Sequence, residues 1–261
     1  MSTTLNDEII NTPPRDAATV VLLREAGSTM EILLLCRGKS TTVMNNAWVF
    51  PGGKVDQDDF NQSEAVTNAL ASAPEVLLAE QDLDTAHASA LFIAACRETE
   101  EETGVTITPD QLIPWSRWIT PNTPSMMRKR FDARFFVARM PVGQTAIHDG
   151  QEATDSAWFT ARDALEQYRD NKITLAPPQI MTLAALASHP NLDAALDWAR
   201  AHPPYCIQPA VFKDTDGNRT LAYPGDRDHS DNNRQMPGPT RLIWKQDHFE
   251  PENGFNAFFT N

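Results

Sequence analysis

A chain of 261 residues with 41% hydrophobic and 22% charged residues has apolar material for one large domain, or one domain with substantial additions. Its net charge of -13 argues against a nucleic-acid polymer or an anionic membrane surface as main partner. A small phosphorylated ligand stays open, because local arginines or a bound metal set the field there.

Three scattered cysteines, Cys36, Cys96 and Cys206, read as buried thiols in a reducing compartment, with no disulfide frame or zinc site. The N-terminus lacks the regions of a signal peptide and no apolar run approaches membrane-spanning length, so the cytoplasm is the expected compartment.

Residues 1–16 are polar and contain Pro13-Pro14, which suggests a loose arm. Ala17 to Leu23 and Glu31 to Cys36 read as two strands joined by a turn at Gly27. A polar loop, Arg37 to Asn46, leads to a third strand, Ala47 to Phe50. The turn Pro51-Gly52-Gly53 follows, and it brings bare backbone close to whatever lies above it. Ser63 is placed to cap a helix through Ala71, and Pro74 to Asp84 suits a second short one. From Thr85 a long helix is expected to run into a glutamate cluster and end at Gly104.

Further strands are expected at Val105 to Thr108, Trp115 to Ile119, Arg134 to Ala138 and Ser156 to Phe159. A Thr160-capped helix, Ala161 to Tyr168, and helices at Gln179 to Ala187 and Asn191 to Ala201 come next. The tail beyond His202 is rich in Pro, Asp and Asn, with strand islands at Ile207 to Phe212, Thr220 to Tyr223 and Thr240 to Trp244. Its Asp214-Thr-Asp-Gly-Asn218 reads as a hairpin turn, because a calcium loop would need a downstream bidentate glutamate that is missing. Strands interspersed with helices indicate an α/β (α+β) chain, a mixed α/β/α sandwich.

The glutamate cluster is chemically the most informative stretch. Arg97-Glu-Thr-Glu-Glu-Glu-Thr-Gly104 closes the long helix. On a helix Glu98, Glu101 and Glu102 share one face, while Glu100 points elsewhere, about 200° round from Glu98. Carboxylates at the negative end of a helix, three or four residues apart, repel one another and the dipole. A hard divalent cation reverses that balance, since carboxylate oxygens are its ligands.

Together, Phe50-Pro-Gly-Gly53 and Arg97 to Val105 resemble the two halves of the Nudix box, matching in the second half at Arg97, Glu98, Glu101, Glu102, Gly104 and Val105. Thr99 occupies an apolar position of the box. Gly53 and Arg97 stand 44 positions apart where the box has fourteen, so about 30 residues, near 57–88, are inserted. The first glutamate of the box is left unplaced. Counting forward from Gly53 gives Asp59, and counting back from Arg97 gives Ser89.

A long insert inside the box is a feature of the branch that includes the peroxisomal coenzyme A diphosphatases. Trp118-Ile-Thr-Pro121, Arg130-Phe-Asp-Ala-Arg-Phe-Phe136, Glu152 to Trp158 and Leu175-Ala-Pro-Pro178 also resemble it. The resemblance implies a Nudix domain over residues 17–200 with a helical insertion, and an extension, 201–261, packed on it.

It further implies Mg²⁺- or Mn²⁺-dependent hydrolysis of a diphosphate, with coenzyme A or an acyl-CoA favoured. NADH, ADP-ribose or nucleotide sugars are the alternative substrates, and a non-catalytic nucleotide-sensing module is the alternative role. A homodimer is admitted. By resemblance Glu98, Glu101, Glu102 and the Gly52 carbonyl are the metal ligands, and Arg97 orients the carboxylates. Glu98 and Glu152 are the two candidate bases. Arg37, Arg130 and Arg134 are candidate phosphate-binding groups, because guanidinium grips phosphate bidentately. His87 and His148 read as ordinary polar residues.

Overall fold

A computed structural model describes residues 9–38, 47–80, 82–122 and 129–260. Most of the expected polar loops at 37–46 and 120–130, and the first half of the expected N-terminal arm, lie outside them.

Two long strands begin the sheet, β1 (Arg15–Ala26) and β2 (Thr29–Arg37), which pair antiparallel around Gly27. Short strands β3 (Ala47–Val49) and β4 (Gly52–Lys54) follow, so the glycine pair sits in a strand against β1, with Gly52 opposite Thr19. After the inserted region come β5 (Ile113–Ile119), β6 (Phe131–Arg139), β7 (Ala153–Phe159), β8 (Thr174–Leu175) and β9 (Tyr205–Ile207). These nine form one mixed sheet in which β8, β3, β2, β1, β6, β5 and β9 are neighbours in that order, while β4 joins β1 and β7 joins β2.

Side chains alternate across β1. Ala18, Val20 and Leu22 pack to one face, Val21 and Leu23 to the other, and all five are buried.

The first face is covered by the inserted region and the helix after it. A 3₁₀ turn (Gln57–Gln62), α1 (Ser63–Ala69) and α2 (Pro74–Leu77) lead into α3 (Thr85–Thr103). Asp84 caps α3 by accepting from the His87 N–H, and Gly104 ends it at φ 68°, a left-handed position that suits glycine. Ala88, Leu91, Phe92 and Ala95 of α3 meet Val20, Leu22, Leu35 and Phe136 of the sheet, and Val66 and Leu78 of the insertion join the same cluster. The box's apolar position is filled by Thr99, fully buried, whose hydroxyl donates to the Ala95 carbonyl at 2.7 Å.

The second face holds α4 (Ala161–Arg169), α5 (Pro177–Leu186), α6 (Leu192–Ala201) and a separate antiparallel sheet. That sheet is β10 (Ala210–Lys213), β11 (Arg219–Ala222), β12 (Arg241–Lys245) and β13 (His248–Pro251). Residues Leu221, Tyr223, Leu242, Phe249 and Phe258 of the tail share one core with Val21, Trp118, Ile180 and Leu196.

Several expectations change. The Ile207 to Phe212 island splits into β9 and β10 of different sheets, Ser63 opens α1 without capping it, and Cys36 and Cys96 are only partly buried while Cys206 is exposed. Residues 105–108 are not a strand, because Thr106 bonds the Gln144 side-chain amide instead of a neighbouring strand. The strand β13, unmarked in the sequence, pairs with β12 across the left-handed residues Gln246 and Asp247. No described helix is long and apolar enough to cross a membrane.

Candidate active site

The glutamates occupy the last turns of α3, above the β4 glycines. Glu102 accepts a hydrogen bond from the Gly52 N–H at 2.9 Å. The Glu98 carboxyl lies so close over Gly53 that a Cβ there would stand 2.3 Å from it, so any larger residue would displace the carboxyl. The strand–turn half of the motif and the helix half therefore touch directly, although 44 residues separate Gly53 from Arg97 in the chain.

Arg97 ties the halves together. Its Nε and Nη2 donate to the two oxygens of Asp59 at 2.9 and 3.0 Å, and Nη2 also donates to the Lys54 carbonyl at 3.0 Å. Nη1 donates to Glu98 at 2.9 Å and to Glu101 at 3.2 Å. All five N–H donors of the guanidinium are thereby used on protein, so Arg97 orients carboxylates and has no donor left for a substrate. Of the two counts for the first box carboxylate, the forward one reaches the arginine. Asp59 is 2% exposed and faces Arg97, whereas Ser89 is buried inside α3.

The cluster is electrostatically strained. Burial and then the charges of Glu98 and Glu152 push Glu102 up to about 8, against the lowering pull of the Gly52 N–H and of Arg37. Glu98 is raised as well, by burial first, with Arg97 opposing and Glu101 and Glu152 adding to the rise. Glu152 thus stands within electrostatic reach of both glutamates. Glu100 is exposed and accepts from the Thr106 hydroxyl, facing away from them. Among the described residues no three His, Cys, Asp or Glu side chains are gathered into a ready metal cage. Glu101 is the outlying carboxylate, 58% exposed and turned to Arg97. The donor set still fits a hard cation. It is all oxygen, and its excess negative charge is held in place by Gly52 and Arg97.

The three candidate phosphate-binding arginines separate. Arg37 ends β2 where its register with β7 shifts, Cys36 facing Asp155 and Arg37 facing Ala153. Such an irregularity bends a strand locally. Arg37 makes no ion pair with a carboxylate among the described residues, and its charge is felt at Glu102. Arg130 and Arg134 are not brought to the glutamates. Arg130 precedes β6 and donates to the Thr120 and Thr12 carbonyls. Arg134 is 3% exposed and is held by Glu80, Asp16 and Asp132, near the start of α3, where Asp16 also meets His87. Arg117 joins the same network through Glu80 and Asp132. Glu80 had no signal in the sequence beyond an acidic residue in an insertion, and the network it completes is visible only once the sheet is assembled.

A family model described as the NUDT19 Nudix domain matches residues 73–186, a stretch that begins after the Pro51–Gly53 half of the motif. The acyl-coenzyme A diphosphatase NUDT19 of Xenopus laevis is 26% identical, in a match covering 61% of this chain and 60% of that protein's length. The protein of the same name from Gallus gallus is 24% identical, with 69% of each covered. A crystal structure of a Nudix hydrolase from Alicyclobacillus acidocaldarius superposes with a TM-score of 0.56 at 22% identity, over 74% of this chain and 98% of that one. The chain is thus similar to the NUDT19 Nudix domain over residues 73–186 and shares its fold with a Nudix hydrolase, with a helix-borne glutamate set held against a glycine strand by one arginine.

Proposed function

We propose that this chain is a pyrophosphohydrolase that cleaves a diphosphate within a nucleotide-containing compound, with coenzyme A or an acyl-CoA as substrate. The products would be 3′,5′-ADP and the 4′-phosphopantetheine moiety. The observation that carries the reading is the seating of Glu102 on the Gly52 N–H and of the Glu98 carboxyl over Gly53, where burial and then neighbouring charges, Glu152 among them, raise both. The long insertion between the box halves, and the names of the frog and chicken relatives, support coenzyme A as the substrate class.

Nudix hydrolases generally work with divalent metals. In this chain Glu98 and Glu102, with Glu101 and the Gly52 carbonyl, are the groups that would hold Mg²⁺ or Mn²⁺. A cation held there would supply positive charge against that developing on the diphosphate oxygens and would favour ionisation of the attacking water. Arg97 keeps Glu98 and Glu101 in place. Arg37, with no carboxylate partner among the described residues, takes a phosphate oxygen of the substrate. Glu152 accepts a proton from the attacking water.

The test is a panel of CoA, an acyl-CoA, NADH, ADP-ribose and nucleotide sugars, with Mg²⁺ or Mn²⁺ and products identified by mass. Release of 3′,5′-ADP from CoA or the acyl-CoA is expected. NADH turnover far above CoA would remove the coenzyme A assignment. Tight ligand binding without turnover of any compound would remove the hydrolase reading.

A further inference from the structure

We infer that Asp149 is a positioning residue that fixes Glu152 against the α3 glutamates, an inference that rests on the site reading above. The Asp149 carboxylate accepts from three successive backbone N–H groups. Oδ1 takes those of Gln151 at 3.1 Å, Glu152 at 3.2 Å and Ala153 at 3.0 Å, while Oδ2 takes that of Glu152 at 3.0 Å. An aspartate that gathers backbone donors in this way closes a turn from within, and the turn begins at Gly150, at φ 74°.

The same residue is attached to the glutamate helix. Its own N–H donates to the Glu102 carbonyl at 3.1 Å, and the Ile147 N–H donates to the Thr103 carbonyl at 2.9 Å. Carbonyls at the end of a helix lack intrahelical partners, so these bonds satisfy groups that would otherwise stand open. Asp149 is therefore a two-way bracket. Its backbone fixes one side to the residue whose side chain sits over Gly52, and its side chain fixes the other to the backbone of Glu152.

Beyond the turn, the Glu152 carbonyl accepts from the Gly38 N–H at 2.8 Å, and Ala153 is buried opposite Arg37. Glu152 itself is exposed and makes no side-chain hydrogen bond among the described residues, so nothing on the side chain holds it. Its position is set through its backbone. A base must lie within hydrogen-bond reach of the water it activates, and a displacement of about 1 Å can cost about 100-fold in rate. Asp149 acts on the reaction only through that placement and touches no substrate.

The experiment compares D149A, D149N, E152Q and the double variant D149A/E152Q in the metal-loaded protein, on whichever compound of the panel is turned over. Amide hydrogen exchange is read in parallel on protein without substrate. D149A is expected to lower kcat by about 100-fold with KM changed less than about threefold, approaching E152Q. D149N keeps Oδ1, which accepts three of the four bonds, and is expected to recover most of the rate. The double variant is expected to be no slower than E152Q, because Asp149 works through Glu152. Amides 151–153 should exchange at least tenfold faster in D149A while β1 and α3 are unchanged.

Losses that multiply in the double variant, or a fully active D149A beside an inactive E152Q, would overturn the positioning role alone. An active E152Q would instead overturn the role assigned to Glu152. Unchanged exchange at 151–153 in D149A overturns the bracket whether or not a substrate has been found.

Discussion

Asp59 and Arg97, 38 residues apart in the chain, meet as a two-oxygen, two-nitrogen ion pair at 2.9 and 3.0 Å, with Asp59 2% exposed. The pair joins the segment after β4 to the long helix across the residues between them. The first residues after β4 supply the carboxylate, and the helix after the insertion supplies the arginine. Removing the aspartate leaves a half-buried guanidinium short of two bonds, a change that costs about 3 kcal/mol. Asp59→Ala is therefore expected to lower stability by about that amount and activity at least tenfold, while Asp59→Glu retains both in large part. Urea unfolding and steady-state rates check this. A D59A protein with unchanged stability would mean the pair holds nothing.

The β4 glycine is equally restrictive. A methyl group at Gly53 would meet the Glu98 carboxyl at 2.3 Å, so Gly53→Ala must move Glu98 while leaving the apolar core alone. We expect a kcat loss of about 100-fold and a thermal midpoint within a few degrees of the parent. A G53A variant with the parent's kcat would show that Glu98 need not sit where it does.

Arg37 and Arg134 should separate in opposite ways. Arg37→Ala is expected to raise KM by about tenfold or more, since a charge-assisted bond to phosphate is worth about 1.5–3 kcal/mol, with little change in stability. Arg134→Met removes a cation buried among Glu80, Asp16 and Asp132, and breaking such a network costs about 3–5 kcal/mol. Its KM should move little. The opposite pattern would exchange their roles.

The pH dependence of stability follows from Glu102. Its folded pKa, about 8, lies above the ordinary carboxylate value of 4.5, because burial and then Glu98 and Glu152 disfavour the charge. The folded chain then holds a proton that the unfolded chain has released, so for this group stability falls as pH rises from about 4.5 to about 8, and levels beyond. Glu98, also raised, acts in the same direction. Metal-stripped protein should lose melting temperature across that window, and Glu102→Gln should flatten the loss. A divalent cation should stabilise more at pH 8 than at pH 6, because binding at low pH must first displace the proton. Thermal unfolding with EDTA or Mn²⁺ across the range measures it. Equal Mn²⁺ stabilisation at both pH values would remove Glu102 from the ligand set.

Much of the site could be read from the chain because helix geometry is local. Glu98, Glu101 and Glu102 share a face by spacing alone, Gly104 ends the helix by its left-handed conformation, and Arg97 reaches Glu101 one turn on. The same locality exposed Glu100 as a residue facing away. Arg130 and Arg134 misled for a related reason. Spacing four apart puts residues on one side of a regular strand, but β6 starts only at Phe131, and spacing says nothing of which partners wait on either side. Three carboxylates from β1, β6 and the insertion wait for Arg134, and residues 105–108 find a side chain where a strand would have been.

By itself, then, the sequence determined the glutamate face, its arginine and the alternating strands, each written in periods of two to four residues. The tertiary structure alone decided that Asp59 and not Ser89 meets Arg97, that Arg37 and not Arg134 acts on Glu102, and that Asp149 joins the backbones of Glu102 and Glu152. Those are pairings between groups tens of residues apart. Their partners are set by how β1, β6 and α3 pack, and by which buried charge finds the nearest opposite one, neither of which local periodicity encodes.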